Sequence, residues 1–159
     1  MPDNSCDKVD YALLAFVQNH GRATNVQIAE HLHLSETPVW RRLKRLEHEG
    51  IISGYRAELN RQRLGFDILA FVQVIFSVHT DDTPYQFEQA VQSMPEILSC
   101  YNVTGEADYM LIVVAPNLTA YEELLRTKIR RLKGVRSLKT ILSMREVKHS
   151  ASLPLEERT

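Results

Sequence analysis

The spacing of apolar residues changes at Gly50, and this change most limits what the chain can fold into. Before Gly50 the apolar residues recur with the period of three short helices, whereas after it they lie in extended runs separated by turn signals. A length of 159 residues is enough for two small domains. The sequence therefore predicts a helical domain over residues 1–50, a hinge strand and linker over 51–65, an α+β domain over 66–149 and a tail over 150–159.

The first two predicted helices have clear start signals. Asp7 is expected to cap the first helix, which ends before Gly21. Thr24 and Gln27 have the spacing of a capping box and begin the second helix. We expect the buried side of that helix to carry four apolar residues, namely Val26, Ile28, Ala29 and Leu32.

A tight turn at His33 leads into the third predicted helix. Histidine tolerates left-handed backbone angles better than most residues, so it is acceptable where such turns usually place glycine. Ser35 opens this helix and Pro38 falls in its first turn, where the missing N–H costs little. Its inward residues recur with helical spacing at Val39, Leu43 and Leu46. Three such helices indicate a helix-turn-helix unit.

The outward side of the third helix is predicted to bind double-stranded DNA. Setting the helix out at about 100° per residue places Trp40 and Arg42 on the flanks and the following residues outward: Thr37, Arg41, Lys44, Arg45 and His48. Guanidinium groups bind guanine edges or phosphates in the major groove. The candidate DNA-binding residues are Ser35, Thr37, Pro38, Trp40, Arg41, Arg42, Lys44 and Arg45. The alternative is a solvated basic helix face, with Trp40 as a structural aromatic rather than a contact to a thymine methyl group.

The second half of the chain is predicted to alternate strands and helices. We expect strands over residues 66–79, 97–104, 109–115 and 136–148, and helices from Thr83 or Pro84 to Ser93 and from a cap at Asn117 or Thr119. The order βαββαβ is that of a ferredoxin-like fold. The fold class is therefore α+β, with a helix-turn-helix domain followed by a ferredoxin-like domain.

Two strands of this domain are apolar on both faces, which predicts self-association. In the first strand Ile68 and Ala70 lie on one face, while Leu69 and Phe71 lie on the other. Two helices cover only one face of an antiparallel sheet, so a second copy of the chain is the simplest cover for the other. The tail or the N-terminal domain is the alternative cover.

The sequence allows two interpretations for each of two further features. A basic run from Arg126 to Lys139 contains no acidic residue, so it either contacts DNA phosphates or is the solvated side of an amphipathic helix. The turn Thr104 to Tyr109 joins two strands, and backbone N–H groups near Gly105 together with Asp108 suit an amino acid. By spacing alone that turn is only a hairpin.

Composition excludes several classes of protein. The 44% hydrophobic and 25% charged residues are typical of a globular chain, and the apolar runs are far shorter than a membrane span needs. A net charge of −1 disfavours nucleic-acid binding over the whole surface but allows a local patch. The acidic N-terminus does not resemble a targeting peptide, so a cytoplasmic protein is expected.

Neither a metal site nor catalytic chemistry is predicted. The two cysteines, Cys6 and Cys100, lack the spacing of a zinc site, and Cys100 is either a thiol sensor or a passive core residue. An enzyme built on the ferredoxin-like domain is one rival hypothesis, but nucleotide-binding and nucleophile motifs are missing from the sequence. An adaptor that binds proteins rather than DNA is the other. We expect no cofactor apart from a small effector.

Over nearly its whole length the chain resembles the Lrp/AsnC family of leucine-responsive, or feast/famine, regulators. The resemblance rests on Asp7 and Asp10, on the string from Leu34 to Glu47, on Gly50 to Ile52, and on Thr104 to Tyr109. It implies a transcription regulator that forms homodimers and commonly octamers, and whose DNA binding or assembly is modulated by an amino acid.

The same resemblance implies where that amino acid binds, namely in a cleft between subunits near the Gly105 turn. The implied effector residues are Thr104, Gly105, Glu106, Ala107, Asp108, Tyr109, Thr140 and Ser143. Departures from the family pattern are Cys6, His33 and Trp40, of which Trp40 bears on the preferred operator sequence.

Overall fold

The computed structural model describes residues 6–77, 82–150 and 152–155. These residues form two compact units, one from the described parts of Met1–Leu59 and Lys148–Thr159 and the other from Asn60–Val147. No helix among the described residues has both the length and the apolar character needed to cross a membrane.

The first unit contains three helices, α1 (Lys8–Asn19), α2 (Asn25–Leu32) and α3 (Glu36–His48). Both predicted N-terminal caps are confirmed, because the Asp7 and Thr24 side chains each complete a capping box, with Asp10 and Gln27 as their partners. The left-handed turn between α2 and α3 is also confirmed, since His33 has a φ of 54°.

The core of the first unit lies between the three helices. Its buried residues are Leu13, Val17, Ile28, Ala29, Val39, Leu43 and Leu46. The expectation that Val26 is buried was wrong, because 45% of its surface is exposed. Residues two apart on a helix point about 200° away from each other, so Ile28 faces the core while Val26 faces away from it.

The C-terminal segment packs on α1 within the same unit. The Gln18 side chain donates to the Leu153 carbonyl at 3.0 Å and accepts from the Leu153 N–H at 3.0 Å. Ser152 also donates to the side chain of Asn19 at 3.3 Å. The described part of the expected tail is therefore held against the helix-turn-helix unit.

Residues 51–59, where we expected a hinge strand, pair with no strand in the described part of the chain. This stretch exposes several large apolar side chains, with 42% of Ile51, 50% of Tyr55 and 69% of Leu59 accessible. Only Ile52 packs against the core of the first unit. The hinge therefore has no regular secondary structure and pairs with no strand among the described residues.

The second unit has the predicted βαββαβ order. Its elements are β1 (Ile68–Phe76), α4 (Asp82–Gln92), β2 (Ile97–Asn102), β3 (Tyr109–Ala115), α5 (Leu118–Thr127), a 3₁₀ turn (Ile129–Arg131) and β4 (Val135–Leu142). The sheet order is β2-β3-β1-β4 and all pairs are antiparallel, which confirms the ferredoxin-like fold.

Several strand ends differ from the expected ones. β4 ends at Leu142 rather than at residue 148, because Leu142 is in register with Ala70 and β1, its neighbour among the described residues, begins only two residues before that, at Ile68. β2 ends at Asn102 rather than at 104, where the hairpin turn begins. β1 begins at Ile68 rather than at 66, and the expected end at His79 lies outside the described residues.

The sheet has two apolar faces, as predicted. Ala70, Val72 and Val74 are fully buried in the core that α4 and α5 complete. Phe71 lies on the opposite face, in register with Ile112 of β3 and Ile141 of β4. That face is open in the single chain, where 53% of Ile141 remains accessible.

Candidate DNA-binding and effector sites

Arg42 and Arg45 of α3 are bound to carboxylates of the first helix. Asp10, which is fully buried, accepts from Arg42 Nη1 at 2.8 Å and from Arg45 Nη2 at 2.5 Å. The Arg42 guanidinium also lies 2.7 Å from Asp7 Oδ2. The placement of Arg45 on the outward side is therefore corrected, because its guanidinium turns toward α1.

This cluster keeps Asp10 ionised. Burial by itself would raise the pKa of Asp10, but hydrogen bonds from Arg45, the Asp7 backbone and Arg42 together hold the pKa below its usual value. The same carboxylate accepts from the Asp7 N–H at 2.9 Å as part of the capping box. One side chain therefore caps α1 and fixes α3 against it.

Arg41 differs from its neighbours because its guanidinium is exposed and has no hydrogen bond or ion pair within the described part of the chain. Lys44 is also exposed, but its ammonium group lies 2.8 Å from Glu47 Oε2. Glu47 in turn accepts from the Tyr55 hydroxyl at 3.2 Å, and the bond from Lys44 lowers the pKa of Glu47. Arg41 is thus the cation of α3 that is available to a ligand without breaking an existing contact.

The remaining candidates of α3 lie at its start and along one flank. Ser35 is the N-cap residue but its side chain makes no capping hydrogen bond, and Thr37 is exposed beside it. Pro38 is half-buried in the first turn. Trp40 is 51% exposed and borders a groove of about 420 Å³ that Tyr55 also lines.

Sequence reasoning named Asp7 as the cap of the first helix and missed the contact of Asp7 and Asp10 with α3. A signal was available, since two acids three residues apart on one helix match two arginines three residues apart on another. That match of spacing does not show which surfaces meet, so it needed the packing of α1 against α3 to be recognised.

The hairpin turn after β2 is held tightly by Asp108. Its N–H donates to the Val74 carbonyl at 2.9 Å, and its carboxylate accepts from the Phe76 N–H at 2.7 Å. Asn102 donates from its side chain to the Asp108 carbonyl at 3.1 Å. The Asp108 carboxylate therefore anchors the turn to β1, a role that the sequence did not suggest.

The tip of this turn is exposed and carries opposite charges. Gly105 has a φ of 112°, which favours glycine at that position. Glu106 is exposed, and its carboxylate lies 3.1 Å from the Lys139 ammonium group. No hydrogen bond among the described residues uses the N–H groups of Gly105 and Glu106. Two N–H groups that can donate to an anion, the Glu106 carboxylate and the Lys139 ammonium group thus lie together at the turn.

The other effector candidates do not join this group. Ala107 is buried, and the Tyr109 hydroxyl donates to Glu88 of α4 at 2.6 Å, on the helix-covered side. Thr140 is hydrogen-bonded to the Tyr121 hydroxyl at 2.8 Å on that same side. The Ser143 backbone N–H donates to the Leu69 carbonyl at 2.9 Å, near the opposite end of β1 from the turn.

A second concavity lies between α4 and β2. It has a volume of about 380 Å³ and is lined by Glu88, Val91, Gln92, Ile97, Leu98, Ser99, Cys100, Asn102 and Tyr109. Burial, with a contribution from Glu88, raises the pKa of Cys100 to about 11. Burial and the bond to Glu88 raise the pKa of Tyr109 to about 12. The thiol and the phenol in this cleft are therefore both protonated at neutral pH.

Comparison with known proteins gives matches over both units. The family model for the Lrp/AsnC ligand binding domain matches residues 69–153, and a winged helix-turn-helix DNA-binding model matches residues 7–53. The leucine-responsive regulatory proteins of Klebsiella pneumoniae and Escherichia coli K12 are each 38% identical over 157 residues, or 99% of this chain and 96% of theirs.

Solved structures of similar proteins share the fold. A transcriptional regulator from Neisseria meningitidis in complex with L-methionine is 34% identical, with a TM-score of 0.90 over 95% of this chain and 97% of that one. A feast or famine regulatory protein of M. tuberculosis, also complexed with L-methionine, is 31% identical, with a TM-score of 0.82 over 92% and 97%.

Proposed function

The chain belongs to the Lrp/AsnC family of transcription regulators, and from that membership we propose that α3 reads a specific DNA sequence while the Gly105 turn senses an amino acid. The observation that carries the DNA half is Arg41, an exposed guanidinium without an acidic partner in the described structure. On a recognition helix such a group binds a guanine edge or a phosphate.

The other α3 candidates take graded roles in this proposal. Ser35 and Thr37 lie at the helix start, where a hydroxyl group reaches a base edge or a phosphate. Trp40 offers an exposed apolar surface to a thymine methyl group. Lys44 exchanges its weak surface pair with Glu47 for a phosphate. Arg42 and Arg45 hold α3 against α1 and contribute little direct readout.

The amino acid binds, in this proposal, at the tip of the turn. Its carboxylate accepts from the N–H groups of Gly105 and Glu106, and its ammonium group donates to the Glu106 carboxylate, displacing Lys139. Thr104 flanks the tip, while Asp108 fixes the turn in place. Two structurally similar regulators are complexed with L-methionine, so L-methionine and L-leucine are the first effectors to test.

Self-association completes the proposed assembly. A second copy of the chain covers the open sheet face around Phe71, Ile112 and Ile141, which forms a homodimer. Dimers that assemble further give the octamer expected from the family. A second chain also provides a route for Thr140 and Ser143 of one protomer to approach the turn of its partner.

Since the protein acts on genomic DNA, we place it in the cytoplasm.

The test is a binding series with purified full-length protein and genomic fragments. Specific complexes should form at low ionic strength and weaken steeply as salt rises, because phosphate contacts release counterions. L-Leucine or L-methionine should then change the affinity or the size of the complex. A protein that binds no genomic fragment at low salt would overturn the proposal and favour a protein-binding adaptor.

A further inference from the structure

The segment from Arg126 to Lys139 is strongly basic, and the proposed function uses only its last residue. It contains seven Lys and Arg residues and no Asp or Glu, in a chain whose net charge is −1. So many positive charges in one short segment create a positive potential at that part of the surface.

Three of these seven cations are neutralised by acids from other parts of the unit or the same helix. Lys128 lies 2.6 Å from Glu96, Lys139 lies 3.1 Å from Glu106, and Arg126 lies 3.7 Å from Glu122. The other four are exposed and form no ion pair among the described residues. They are Arg130, Arg131, Lys133 and Arg136, which we call the basic corner.

The backbone of the basic corner is fixed by the core beneath it. Ile129 is fully buried, which directs Arg130 and Arg131 outward. Gly134 has a φ of 85°, and a Cβ at this position would collide with the buried side chain of Thr83. The Gly134 carbonyl accepts from the Ser77 N–H at 3.0 Å. The four cations are therefore mounted on a rigid turn.

The chemistry of the basic corner fits phosphate better than a protein surface. Arginine binds phosphate oxygens in a bidentate manner, and unpaired cations lose no existing contact when they do so. Protein interfaces have an apolar centre, whereas Leu132 and Val135, the large apolar residues between these cations, are partly buried against the core.

We propose that the basic corner binds the phosphate backbone of the same DNA that the helix-turn-helix unit holds. This inference rests on the proposed function, because it needs a DNA molecule to be bound to the protein. It assigns the second unit a direct, sequence-independent contribution to DNA affinity, in addition to effector sensing and assembly.

The experiment compares the DNA affinity of two double variants with that of the wild-type protein, all of full length, on one long operator fragment. Arg130→Gln with Arg131→Gln removes two charges from the basic corner, and Arg63→Gln with Arg126→Gln removes two charges from the same unit outside it. Affinity is measured from low to moderate salt, and the oligomeric state of each protein is measured by analytical ultracentrifugation.

The slope of log affinity against log salt should flatten by about 1.8 in the corner variant, at about 0.9 for each lost phosphate contact, and stay near the wild-type value in the control. An unchanged slope in the corner variant, an equal change in the control, or dissociation of the corner variant into smaller species would overturn the inference. If the wild-type protein itself binds no fragment, the proposed function fails instead.

Discussion

Arg42 of α3 donates from Nη1 to Oδ1 of Asp10 of α1 across 2.8 Å, so α3 is fixed to α1 by a carboxylate of the first helix. Asp10 is fully buried, whereas 29% of the Arg42 side chain is exposed. The carboxylate is the buried partner of these pairs. If Asp10 is removed, the two arginines rehydrate, whereas if both arginines are removed, Asp10 remains as a buried charge without a cation beside it. Asp10 also binds both arginines and accepts from the Asp7 N–H in the capping box, so its replacement should destabilise the first unit more than replacement of Asp7.

Replacing Asp10 with alanine should lower the free energy of unfolding by about 2 to 4 kcal/mol, since it removes both a buried ion pair and half of the capping box. Asp7→Ala is the matched control, because Asp7 is 55% exposed and should cost about 1 kcal/mol as an N-cap. Urea unfolding followed by circular dichroism measures both. Equal losses in the two variants would contradict the central role of Asp10.

Acid should unfold the first unit partly through Asp10. The folded-state pKa of Asp10 is lowered, so its ion pairs contribute stability that is fully present above the unfolded value of about 3.9 and is lost as pH falls through the folded value. The Asp10→Asn variant lacks this contribution at every pH, because its side chain does not ionise. The stability difference between wild type and Asp10→Asn should therefore shrink as pH is lowered from 7 to 3. Parallel curves over that range would show that Asp10 is not the group responsible.

Arg41→Ala should reduce the preference for operator over unrelated DNA. A guanidinium that reads a base contributes about 1 to 3 kcal/mol, which is roughly a fivefold to 150-fold change in affinity. Arg22→Ala removes one exposed charge from the same unit and should weaken operator and unrelated DNA equally. Fluorescence anisotropy with both DNAs gives the ratio. If the ratio falls for Arg22→Ala and not for Arg41→Ala, the recognition surface has been misassigned.

Glu106→Gln should weaken amino acid binding roughly tenfold, because it removes the charge that the ammonium group meets at the turn. Glu123→Gln removes a charge from an exposed position of α5 and should bind the amino acid normally. Isothermal titration with L-leucine and L-methionine measures the affinity, and anisotropy without amino acid confirms intact DNA binding. Normal amino acid binding by Glu106→Gln would move the effector away from the tip of the turn.

Cys100 should react slowly with iodoacetamide at neutral pH. Burial and the nearby Glu88 raise its pKa from 9.0 to about 11, which lowers the thiolate fraction about a hundredfold. The measurement uses the Cys6→Ser protein, so that only Cys100 reacts, and the rate should climb up to a pH of about 11. Glu88→Gln should shift that profile to lower pH. A fast reaction at neutral pH would identify Cys100 as an accessible thiol of the sensing type.

The sequence predicted the elements well where the signal was local. The cap at Asp7, the capping box at Thr24 and the left-handed residue His33 were all found from spacing and residue type, because each depends on contacts within one turn of chain. One of the exceptions had a non-local cause. β4 stops at Leu142 because β1 begins only two residues before its partner Ala70, which the residues of β4 themselves do not reveal.

The candidate sites divide in the same way. The sequence by itself determined the fold class, the three helices of the first unit and the Gly105 turn, since apolar period, caps and turn residues act over a few neighbours. Only the tertiary structure decided which cations of α3 remain available, because Asp10 lies 32 residues from Arg42 and 35 from Arg45. Likewise, only the tertiary structure shows that the Asp108 carboxylate accepts a hydrogen bond from the Phe76 N–H, 32 residues away. A charged group's availability depends on which opposite charge or donor the fold brings to it, and no local spacing contains that information.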